Sequence, residues 1–185
     1  MNASEIRKGI VLNYNGNPHR VLEFQHRTPG NLRAFVQARI RNLRTGLATE
    51  VRFSSTESVE RVTLEQHTMQ YLYKDGDDYH FMNTETYEQL SMNAEALGDN
   101  IYYLVDGISI EVETYEGEPI GITPPPIIEL TIVETQPEMR GATAANSPKP
   151  AVLETGLTLN VPPFVKEGER IRVDTSTGQY IERVR

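Results

Sequence analysis

Turn signals cut this chain into short pieces. Asn15-Gly16, Thr28-Pro29-Gly30-Asn31, Thr45-Gly46, Asp75-Gly76 and Glu116-Gly117 each separate runs in which apolar and polar residues alternate. Asn-Gly supplies the positive φ angles of a type I′ hairpin. Proline fixes one turn position, and glycine and asparagine tolerate left-handed backbone. Runs this short leave little room for helices, and a period of two belongs to a strand with one face in a core and one in water. The expected class is all-β.

The runs fall into three groups. Residues 11–14, 21–26, 33–44, 51–53 and 59–64 read as five strands of a small barrel of SH3-like size. Residues 69–73, 79–82, 108–115 and 119–122 form a second group. It includes one short helix, over 91–97, with Ser91 as cap and Gly98 as stop. In the strand at 108–115, Ile108, Ile110 and Val112 face inward, and Ser109, Glu111 and Glu113 face outward. Thr123-Pro124-Pro125-Pro126 stiffens the passage to a third group, at 128–133, 151–153, 157–161, 170–173 and 179–184. The second and third groups have the size of OB-type barrels. The expected division is 1–63, 64–127 and 128–185. An apolar share of only 38% suits several thin cores better than one thick one.

Charge separates the groups more sharply than hydropathy does. The net charge is −8, which alone speaks against nucleic-acid binding. Yet residues 1–63 carry ten Lys and Arg against five acids, a net +5, and residues 64–127 carry only Lys74 against thirteen acids, a net −12. An asymmetry of this size suits one face built for phosphates and another kept away from them. In the stretch 33–44, Ala34, Val36, Ala38 and Ile40 share one parity, and Arg33, Phe35, Gln37, Arg39 and Arg41 share the other. Arg33, Arg39 and Arg41 then line the outward face, with Arg44 just beyond. Guanidinium groups in a row can fork onto successive phosphates. An ordinary solvated strand face would show the same alternation, but not the same concentration of arginine.

Other chemistries find little support. Without cysteine there is no disulfide, thiolate ligand or cysteine nucleophile. His19, His26, His67 and His80 have no metal-ligand spacing, and no phosphate-loop or nucleophile-elbow pattern occurs. No base–nucleophile–orienter set emerges, so neither an enzyme, a cofactor nor a metal is expected. No apolar run is long enough for a membrane span, and no signal peptide is visible, so the expected location is the cytoplasm.

Several motifs stand together across the chain. They are Pro29-Gly30 with Ala34-Phe35, Arg41-Asn42-Leu43-x-Thr45-Gly46, Tyr71-Leu72-Tyr73-x-Asp75-Gly76, and His80-Phe81-Met82-Asn83 with Glu88-Gln89-Leu90 and Gly98-Asp99-Asn100. The last group carries Lys149-x-Ala151, Gly156, Leu159, Val161-Pro162, Val165 and Gly168. In these motifs the chain resembles the bacterial elongation factor P family from end to end. The resemblance implies an SH3-like or KOW-like barrel followed by two OB folds, in an L-shaped outline similar to tRNA. It also implies a translation elongation factor that binds the ribosome beside the peptidyl-tRNA, promotes peptide-bond formation and relieves stalling at consecutive prolines. Its partners would be the 70S ribosome, peptidyl-tRNA and ribosomal RNA, and it would act as a monomer.

The implied functional residues are the tip loop Pro29, Gly30, Asn31, Leu32 and Arg33, aimed at the peptidyl-transferase centre, with Arg39, Arg41 and Arg44 on RNA. Two departures stand out. Asn31 occupies the position where many relatives carry a lysine or arginine that is enzymatically extended, so an unmodified tip is expected. Asn31 is short, tolerates left-handed backbone and can bond its own turn, and Leu32 would stiffen the loop. Second, Ala145-Asn146-Ser147-Pro148 replaces a glycine-rich loop that reads the exit-site codon in some relatives. The alternative is a paralogue with a specialised RNA-binding or regulatory role.

Overall fold

The chain reverses where the turn signals stand. Asn15 (φ 51°) and Gly16 (φ 75°) close the first hairpin, and Glu116 (φ 50°) and Gly117 (φ 81°) close another. Both central residues are left-handed in each case, the type I′ geometry that matches strand twist. The computed structural model describes residues 1–138 and 147–185. Among these, three five-stranded antiparallel sheets follow one another along the chain.

The first sheet comprises β1 (Val11–Tyr14), β2 (Asn17–Arg27), β3 (Phe35–Asn42), β4 (Ala48–Ser54) and β5 (Glu60–Arg61), in the order β4-β3-β2-β1-β5. The second comprises β6 (Glu65–Asp75), β7 (Asp78–Met82), β8 (Gln89–Asn93), β9 (Ser109–Tyr115) and β10 (Glu118–Thr123), in the order β10-β9-β6-β7-β8. The third comprises β11 (Ile127–Thr135), β12 (Lys149–Leu153), β13 (Thr158–Val161), β14 (Arg170–Asp174) and β15 (Gln179–Arg183), in the order β13-β12-β11-β14-β15. Each sheet curls over its own core: Leu12, Val21, Val36 and Ile40 in the first, Phe81, Ile110 and Val112 in the second, Leu130, Ile132 and Ile171 in the third. The architecture is all-β, as the alternation requires.

Two readings of the second sheet need correction. Residues 89–93 form strand β8, not the start of a helix, so Ser91 is a strand residue and no cap. The helix α1 is only Ala94–Leu97, and Asn93 caps it by accepting from the Glu95 N–H at 2.8 Å. Gly98 (φ 56°) does end α1, and a 3-10 segment continues to Tyr103. Glu113 is the second correction. Its parity places it outside the second sheet, yet it is buried, because the first domain covers that face. Its carboxylate accepts from Arg20 of β2 and from Thr123 Oγ1 at 2.9 Å. A buried carboxylate needs such partners, since desolvation otherwise disfavours the charge.

The joints between domains differ in kind. Between the second and third, Tyr103 leaves the 3-10 segment and enters the third core beside Leu159 and Val173, and Ile108 packs against both cores. Burial pushes its phenol pKa up, with Asp99 and Asp174 adding to the shift. Thr175 then ties down the proline passage by donating to the carbonyl of Pro125 (2.6 Å, from Oγ1) and that of Pro126 (3.0 Å, from N). Between the first and second domains the named contacts are polar: Arg20 with Glu113, and Arg44 with Glu116 and Glu118.

Candidate nucleic-acid interface

Strand β3 presents Val36, Ala38 and Ile40 to the first core and Phe35, Gln37, Arg39 and Arg41 to the other side. Register then assigns their neighbours. On β2, Arg27 stands opposite Phe35, Gln25 opposite Gln37, Glu23 opposite Arg39 and Arg20 opposite Arg41. On β4, Ser54, Arg52, Glu50 and Ala48 stand opposite the same four residues in order. The outward face is therefore basic at both ends and mixed in the middle. Arg39 lies between Glu23 and Glu50 but forms no ion pair among the described residues, and Glu50 accepts from Gln37 at 3.3 Å.

The sequence-predicted residues divide into three sets. Arg39 and Arg41 share the strand face and are exposed, as the alternation predicts. Arg33 is exposed too, but precedes β3, so it extends the basic character toward the tip without belonging to the strand's row. Arg44 is turned elsewhere. Its guanidinium pairs with Glu118 (3.4 Å) and Glu116 (3.5 Å), donates to Asn17 Oδ1 (3.2 Å) and lies 5.5 Å above the Tyr115 ring. It serves the joint with the second domain.

The tip joins β2 to β3. Leu32 N–H donates to the Pro29 carbonyl at 3.1 Å, closing a single turn. Gly30, Asn31 and Leu32 are exposed, Leu32 to 74%. Neither Gly30 nor Asn31 takes positive φ, and the Asn31 side chain makes no hydrogen bond to the described residues. The expected left-handed, self-bonded asparagine is thus absent. Leu32 packs on nothing that would stiffen the loop. One backbone bond suffices to turn the chain, and it leaves the Asn31 amide and the Leu32 side chain free for a partner.

Two functional candidates escaped the sequence reading. Arg52 shows in the alternation of Val51, Arg52 and Phe53, but only strand pairing places it beside Phe35. Arg27 ends β2 and lies opposite the same ring. Among the described residues no His, Asp and Glu side chains group as a cation site, and no helix is long and apolar enough to cross a membrane. The segment that replaces the codon-reading loop of some relatives, Ala145-Asn146-Ser147-Pro148, has its first two residues outside the described residues.

Three family models match in sequence order. The elongation factor P KOW-like domain covers residues 2–59, the elongation factor P OB domain covers 64–122, and the elongation factor P C-terminal model covers 128–183. This chain belongs to the elongation factor P family. A relative named elongation factor P from Acidobacterium capsulatum is 50% identical over 181 residues, 98% of this chain and 97% of its own. One from Gemmatimonas aurantiaca is 50% identical over 183 residues, 99% and 97% of the two chains. A third, from Moorella thermoacetica, is 47% identical and covers 99% of each. The solved structure titled eukaryotic translation initiation factor 5A from Methanococcus jannaschii aligns with a TM-score of 0.51 at 21% identity. It covers 67% of this chain and 91% of that one, a likeness of fold.

Proposed function

We propose that this member of the elongation factor P family binds the ribosome beside the peptidyl-tRNA and promotes peptide-bond formation where consecutive prolines stall it. The first domain (1–63) lies along RNA with its basic face and points Pro29–Arg33 at the reacting ends. The acidic second domain (64–127) and the third (128–185) set its reach. Arg39 and Arg41 take phosphates. Proline has a fixed φ and is a poor nucleophile, so its tRNA-bound forms reach attack geometry badly. A protein that braces the peptidyl-tRNA lowers the entropic part of that barrier and needs neither a cofactor nor proton chemistry of its own. It works as a monomer in the cytoplasm.

The observation that carries this reading is the full-length correspondence with relatives of that name, joined to a basic face that runs out into an exposed tip. Ribosome profiling of a host lacking the gene tests it. Pauses are expected to accumulate at proline runs and to disappear when the gene is restored. Unchanged occupancy at prolines would instead favour a paralogue with a regulatory RNA-binding role, for which the asparagine at the tip is the supporting feature.

A further inference from the structure

Beyond Arg39 and Arg41, the outward face of the first sheet holds a constellation at its tip end. Phe35 opens β3 half-buried, its ring on the outer side. Arg52 stands opposite Gln37, one diagonal step from Phe35, and long side chains reach across such a step. Its guanidinium carbon lies 3.7 Å from the ring centroid, a stacked cation. On the other flank Arg27 stands directly opposite Phe35. Its Nη2 and Nε donate to Gln25 Oε1 at 2.9 and 3.3 Å, a neutral partner that leaves the charge uncompensated. Neither arginine is within ion-pair distance of a carboxylate among the described residues, where Arg20 and Arg44 both are.

A guanidinium laid on an aromatic ring keeps its other face and its N–H edge open. It is also already ordered, so less rotamer freedom is lost when a ligand arrives. A flat cation supported from below, with a second fork beside it, matches the two features every nucleotide offers: a π face and a phosphate. The site begins two residues before the tip turn, so a strand held there would lie next to Asn31.

We propose that Arg27, Phe35 and Arg52 form a subsite for one nucleotide of single-stranded RNA. Arg52, held on Phe35, stacks beneath an unpaired base, and Arg27 forks onto the adjoining phosphate. The inference rests on the reading of this face as RNA-contacting and states where on it the strand is gripped.

The test is titration of the full chain with a single-stranded RNA dodecamer carrying 2-aminopurine, whose fluorescence reports stacking, over a range of salt. Arg52→Lys keeps the charge and loses the flat face. It is expected to abolish most of the fluorescence change and weaken binding about tenfold, with the salt slope kept. Arg27→Ser is expected to lower the salt slope by about 0.7 and keep the stacking signal. Phe35→Tyr, which retains a ring, should behave as wild type, and thermal melts check that each surface variant is folded. If both arginine variants bind and quench like wild type while Arg39→Ser with Arg41→Ser abolishes binding, the subsite is wrong and the basic-face reading stands. If the unaltered protein binds neither this RNA nor ribosomes, both fail.

Discussion

At the residue scale, Glu113 shows what a single-sheet pattern leaves out. Alternation assigned it to an outward face correctly, but outward from one sheet became inward once the first domain settled against it. Parity reports which side of a strand a side chain takes and says nothing of what covers that side. The burial is coherent in the folded chain. Arg20 and Thr123 supply donors, and Gly121 leaves room, since a Cβ there would come within 3.1 Å of Glu113 Oε2. Arg20 Nε itself is buried without a partner, so the pair is already incompletely satisfied. Removing one member should therefore cost more than removing both. Glu113→Ala strands the Arg20 guanidinium and is expected to lower stability by ~1–3 kcal/mol. Adding Arg20→Ala should return part of that loss, and a double-mutant cycle by chemical denaturation measures it. Strict additivity of the two changes would show that the pair contributes nothing.

At the element scale, the clearest reading is the stretch 33–44, where Ala34, Val36, Ala38 and Ile40 alternate with arginine on the opposite parity and β3 forms over Phe35–Asn42. The weakest was residues 89–93. Gln-Leu-Ser-Met-Asn offers only two apolar positions, and the helix formers at 94–97 pull the expected boundary to Ser91, three residues too early. Only pairing with β7, Phe81 to Leu90 and Tyr79 to Met92, makes those residues a strand. The tip was legible as a turn but not in its conformation, because glycine and asparagine allow left-handed backbone without requiring it. With Asn31 exposed and bonded to nothing in its own loop, its amide is available to an RNA end. Asn31→Ala is expected to reduce proline-stall rescue in a reconstituted translation assay severalfold, with ribosome affinity nearly unchanged. The intact mass of protein from its host should equal the sequence mass apart from Met1 processing. Full rescue by the alanine variant would remove Asn31 from the mechanism, and a mass increment on residues 29–33 would overturn the unmodified tip.

At the scale of the whole molecule, the segmental charges become a difference between two joints. The +5 and −12 segments meet through arginine and glutamate, with Arg44 donating to the second domain a charge that the sequence had assigned to RNA. The second and third domains are joined instead by buried Tyr103 and partly buried Ile108. Ion pairs at a partly exposed surface weaken as salt screens them, over a Debye length that falls from about 10 Å at 0.1 M to about 3 Å at 1 M. Apolar burial does not weaken in the same way, because it depends on area withdrawn from water. The first domain should accordingly loosen from the second as sodium chloride rises from 0.05 to 1 M, while the second and third move as one. Small-angle scattering, or energy transfer between dyes on the first and third domains, would read this as a broadened distance distribution at high salt. Glu116→Gln with Glu118→Gln should produce the same broadening already at low salt, since Arg44 then has no carboxylate opposite it. A distance distribution that ignores both salt and these substitutions would mean that the first joint is held by something other than its charges.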